Sequence, residues 1–199
     1  MAAYDFNPER LAYYEAAGWR AYYEHNWLKL LRLLVGICQE QFRIPFPASL
    51  LAAYYMTRAS AAWVAIDHDE QKVRTLHEKF YRIARRYSGL DFDPARVAAL
   101  EEQYWDVHRR LSAAKQADKT EFIETMTDLH SAIFGISREE ARESAELRVL
   151  ANNTVDLITS NVSTDPEADW QKIEDYLRQC YRSLREASRA AHEKANMPA

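Results

Sequence analysis

Residues 8–42 read PERLAYYEAAGWRAYYEHNWLKLLRLLVGICQEQF, and this stretch decides the fold class. Asn7 can cap a helix, Pro8 suits the first helical position, where the missing N–H would have no partner anyway, and Glu9 faces the positive end of the dipole. The prolines at Pro45 and Pro47 end it. From Trp27 onward, Leu30, Leu31, Leu34, Cys38 and Phe42 fall on one stripe at helical spacing, with Lys29, Arg32, Glu40 and Arg43 off it. The spacing predicts one continuous helix on the order of 50 Å long. In its first half, Tyr13-Tyr14 and Tyr22-Tyr23 send rings in directions about 100° apart, more than one seam needs, so several neighbours are expected around it.

Working outward, the chain has 199 residues of which 48% are hydrophobic, enough for one real core, and the expectation is one all-α domain over residues 1–199. Only four glycines and six prolines interrupt it, which leaves little room for the turns of a β fold. After the Pro45/Pro47 elbow, residues 48–66 are apolar nearly all round and predict a helix at the centre of a bundle. Asp67/Glu70, Asp118/Glu121 and Ser137/Glu140 have capping-box spacing, and Asp93-Pro94 and Asp165-Pro166 open two further helices. In the last helix Trp170, Ile173, Leu177, Cys180, Leu184, Ala187 and Ala191 alternate by three and four, a seam for one neighbour within the fold or across a dimer. The reading is a single up-and-down bundle of six or seven helices, the first and last longest, with a frayed tail from about residue 195.

Charge narrows the partners. A formal net charge of −4 gives no electrostatic push toward nucleic acid or an anionic membrane, and the basic face Lys72, Lys79, Arg82, Arg85 and Arg86 reads as solvated. The apolar stretches 28–38 and 49–66 are broken by Lys29, Arg32 and Arg58, so neither is read as a membrane span. With MAAYDFNPER at the start and two cysteines on apolar stripes, a cytoplasmic protein with reduced thiols is expected.

The sequence carries no phosphate loop, no Cys-x-x-Cys, no nucleophile elbow and no His-Glu-x-x-His. Singly scattered ligands are the remaining route to metal chemistry. Glu24, Glu101, His108, His130 and Asp156 are the candidate set for iron or manganese, in a metal-carboxylate oxidase built on a ferritin-like or haem-oxygenase-like bundle. His130 lies within an apolar stripe and reads first as a core histidine. Arg58, the one charge in an apolar helix, is expected to be buried, paired with Glu24, Glu101, Glu146 or Asp156, or, with Tyr54 and Tyr55, to hold a small anionic, apolar ligand. The leading expectation is a non-catalytic bundle acting as a homo-oligomerising or adaptor module for a protein partner, because nearly every helix carries a seam and no catalytic set converges.

Overall fold

The computed structural model describes residues 4–196. Among them are eight helices and no strand: α1 (Pro8–Tyr23), α2 (Trp27–Phe42), α3 (Ala48–Trp63), α4 (Glu70–Ser88), α5 (Pro94–Ala113), α6 (Thr120–Phe134), α7 (Arg138–Thr159) and α8 (Pro166–Asn196). Each packs chiefly on the one before and the one after it, and α8 returns to α1, so the chain closes a ring of helices. No helix among the described residues is long and apolar enough to cross a membrane.

The count differs from six or seven because the expected first helix is two. After Tyr23 the N–H groups of His25 and Asn26 turn back to the carbonyls of Tyr22 and Ala21, and His25 takes a left-handed conformation at φ 53°. The Asn26 side chain then accepts from Lys29 N and caps α2. The halves fold into a hairpin of two 16-residue helices, each about 24 Å long instead of 50 Å. Two glycines permit the close approach: a Cβ on Gly36 would lie 2.8 Å from the Tyr14 ring, and one on Gly18 would meet Leu30 at 3.7 Å.

Other boundaries follow their local chemistry. Asn7, Asp93 and Ser137 cap α1, α5 and α7, the last with both halves of a capping box. Asp165 accepts from Ala168 N at the start of α8. Gly89 and Gly135 stop α4 and α6 at φ 77° and 65°, where a side chain would strain the backbone. Two caps differ from expectation: Asp69, not Asp67, caps α4, and α6 begins at Lys119 without a side-chain cap while Asp118 binds Thr120.

The core lies between consecutive helices, and the α8 seam is used inside the chain, with Ile173, Leu177, Cys180 and Leu184 all buried. Cys38 and Cys180 are free and buried, their thiols pushed up to about 12 by loss of solvent. The stretch 4–7 ahead of α1 is anchored too, Tyr4 donating to the Gln41 carbonyl at 2.7 Å. A further element departs from its sequence reading. Instead of lying at the centre, α3 buries a strip of small residues with Met56 and Trp63, and leaves Leu50, Leu51, Tyr54 and Arg58 exposed. The end of the tail expected to fray lies outside the described residues.

Candidate functional site: an aromatic cavity inside the helical ring

Closing the ring leaves a cavity of about 530 Å³, within the range of small-molecule sites. Apolar lining comes from Leu30, Leu34 and Ile37 of α2, Met56 of α3, and Met126, Leu129 and Ile133 of α6, with Gln41, Ser60 and His130 as the polar residues those helices add. The polar wall, with most of the aromatic rings, is supplied by α1, α4, α5, α7 and α8.

The polar wall is built around Glu15. Arg148 of α7 reaches it with both terminal nitrogens, at 2.7 and 2.5 Å, and Tyr181 of α8 donates to the same carboxylate at 2.6 Å. Both members of the pair are about nine-tenths buried, so one salt bridge ties three helices. The guanidinium face is covered by Trp19 at 5.0 Å and Tyr104 at 5.9 Å. Tyr104 donates to Asn152, whose amide donates to the Arg148 carbonyl one turn back. The Arg148 Nε is the atom here without a partner, and it has no accessible surface.

Beside this network stands Glu101. Its oxygens accept from Tyr81 of α4 at 2.8 Å and from the Trp105 indole at 2.8 Å, both neutral donors. Burial holds its carboxyl above the ordinary carboxylate value, while Tyr81, Arg148 and Trp105 pull it down and Glu15 pushes it further up. It lines the cavity and keeps some surface there. Nearer the mouth, His108 and Asp156 pair at 3.0 Å, and the His108 ring stacks on Phe122. Tyr22 faces the Arg109 guanidinium, which itself lies over the Trp63 ring and donates to its carbonyl. Tyr23 faces Asp156 and Tyr104, so both of the tandem tyrosines that end α1 line the cavity.

Of the residues singled out in the sequence, Glu101, His108, His130 and Asp156 line the cavity. Glu24 does not: it is exposed at the end of α1, bound to Arg20 and Lys29. The four do not converge. Glu101 is engaged by Tyr81 and Trp105, Asp156 by His108, and His130 is buried against Ser144 at 2.8 Å, held neutral by burial and by Arg148 with its value lowered to about 3. Among the described residues no group of three or more His, Cys, Asp or Glu side chains stands in a metal-holding arrangement. Arg58, expected to be buried, is exposed and bound to the Tyr54 hydroxyl at 2.7 Å; Tyr54 is exposed, Tyr55 lies under Lys79, and none of the three lines the cavity. The helix carrying them faces outward, which removes the need for a buried counter-ion.

Sequence reasoning missed Arg148 and Tyr181 and, with them, the pairing that engages Glu15. One signal was present: Arg148 stands four residues before Asn152 on a helix whose buried face is otherwise small or apolar, the place where a polar pair needs a partner from another helix. Also missed was His77, fully buried, neither ring nitrogen hydrogen-bonded, its ring 4.6 Å from Trp105 edge to face.

No family model matches the chain, and no curated protein or solved structure matches it.

Proposed function

We propose that this protein is a small-molecule-binding bundle whose ligand sits inside the ring of helices. The observation that carries this reading is the cavity: about 530 Å³, with apolar and aromatic lining and a small set of fixed polar groups. A core of this size usually closes such space, since interiors pack to the density of organic crystals. The seam that motivated an oligomerising or adaptor reading is occupied within the chain, because α8 buries it against α1 and α7. The iron or manganese oxidase reading loses its motivation as well, since its ligand candidates are engaged singly by other partners.

Trp19, Trp63 and Trp105 line the cavity, so an anthracene derivative, which accepts their emission, reports its own binding by quenching. The neutral probe 9-(3-methylbutyl)anthracene is expected to saturate the quenching at one equivalent. Leu34→Trp, which fills part of the cavity from α2, is expected to weaken that binding at least tenfold with the helical signal unchanged. Linear, non-saturable quenching, or wild-type binding by the filled variant, would refute the reading.

A further inference from the structure

We infer that the preferred ligand is a lipophilic organic cation, a protonated amine, whose nitrogen donates to Glu101 within a lining that includes Tyr22 and Trp105. The inference rests on the binding reading above and specifies its ligand class.

The charges decide it. The one guanidinium at the level of Glu15 and Glu101 is Arg148, and nothing of it remains for an acid: both terminal nitrogens are on Glu15, its faces lie against Trp19 and Tyr104, and its Nε has no accessible surface. Arg109, at the mouth, is held on Trp63. On the acidic side Glu101 accepts from Tyr81 and Trp105 and makes no ion pair among the described residues, while Asp156 adds a second carboxylate above it. Two carboxylates therefore share one guanidinium at mid-height, and the unmatched one borders the cavity. Aromatic rings complete the environment, and a cation is attracted to ring faces most strongly where water is excluded. An anionic ligand would be repelled by Glu101, whereas a protonated amine gains a charge-assisted hydrogen bond to it.

Binding is then linked to pH. Burial favours a proton on Glu101 in the empty cavity, and a bound cation favours the carboxylate, so the cation binds more tightly as pH rises through the Glu101 titration. The groups that face Glu101 are Tyr81 from α4, Glu15 from α1, Arg148 from α7, and Tyr104 and Trp105 from its own helix; α2 and α3 line the cavity with uncharged side chains, Gln41 and Ser60 the polar ones, and α6 brings the neutral His130. The His108–Asp156 pair lines the same cavity, and a Glu101 variant separates its effect.

Three probes of one shape are compared by tryptophan quenching: 9-(dimethylaminoethyl)anthracene, which is cationic, its neutral isostere 9-(3-methylbutyl)anthracene, and the anion 3-(9-anthryl)propionate. The cation is expected to bind at least tenfold more tightly than the isostere at pH 8, the scale of one charge-assisted hydrogen bond, with the anion weakest. Between pH 5 and pH 8 the cation's affinity rises and the isostere's stays flat. Glu101→Gln brings the two within about threefold, and its far-ultraviolet circular dichroism, matching the wild type, reports that the variant is folded. If the isostere binds as well as the cation, if Glu101→Gln keeps the preference, or if the cation's affinity is flat with pH in the wild type, the cation inference is wrong and the cavity reading stands. If none of the probes binds, the cavity reading itself fails.

Discussion

Removing Arg148 is the most severe single test of how the ring is held. Its guanidinium makes two hydrogen bonds to Glu15 at 2.7 and 2.5 Å, with 13% and 10% of the two side chains exposed, so little water is present to take over. Arg148→Met leaves a buried carboxylate with Tyr181 as its one remaining donor, a situation that costs about 3–5 kcal/mol. For a chain of this size that is a fall in Tm of roughly 6–20 °C. Removing both charges should cost far less than removing one. In Glu15→Met/Arg148→Met the residual loss is about 1–3 kcal/mol, the orphaned Tyr181 hydroxyl, and adding Tyr181→Phe brings stability back toward wild type. Urea unfolding followed by far-ultraviolet circular dichroism measures all five proteins: the wild type, the two single variants Arg148→Met and Glu15→Met, the double and the triple. A loss below about 1 kcal/mol for Arg148→Met, or a double variant as unstable as the sum of its parts, would refute the claim that this pair ties α1, α7 and α8 together.

His77 is buried without a hydrogen bond, and desolvation lowers its value to about 3, so the folded state keeps it neutral while the unfolded chain protonates near 6.5. Stability from that difference is fully present above pH 6.5 and lost as pH falls, at about 1.4 kcal/mol per pH unit; His77→Leu should remove about 2 kcal/mol of the loss between pH 6.5 and 5, measured by urea midpoints. Glu101 acts with the opposite sign: its raised value favours folding in acid, and that contribution fades as pH rises, so Glu101→Gln should flatten the neutral side of the profile. In the α1/α2 hairpin, Gly36→Ala drives a methyl into the Tyr14 ring and should cost about 1–2 kcal/mol, whereas Gly18→Ala, with 3.7 Å to Leu30, should be tolerated. Asn26→Ala removes the cap of α2 and should cost about 1 kcal/mol by the same assay.

Most helix ends were legible because their chemistry is local. Asn7-Pro8, Asp93-Pro94, Ser137/Glu140 and Asp165-Pro166 each satisfy the first N–H groups of a helix within three residues of chain. The turn at Glu24-His25-Asn26 was not legible, since it uses neither glycine nor proline and the apolar period runs on through it; a histidine holds the left-handed position and the cap is an asparagine that a continuous helix would also accommodate. The orientation of α3 was misread for a related reason. Its leucines and tyrosines look like core, but alanines and serines let the neighbours approach, so the small residues face inward and the large ones out. At the cavity, Glu101, His108, His130 and Asp156 were visible as unusual polar residues on apolar helices. Their partners were not, because Glu15–Arg148 and Tyr81–Glu101 span 133 and 20 residues and no period relates them.

Because each helix rests chiefly on its sequence neighbours, nearly every interface can form from nearby chain, and one seam, α1 against α8, joins distant ends. A molecule so connected should assemble quickly by hairpins and finish with a single closure, since local contacts carry little loop-closing entropy. The enclosed space exists only after that last step. An occupant would therefore act as a latch, holding α1 on α8 in proportion to its affinity and slowing amide exchange in those two helices first.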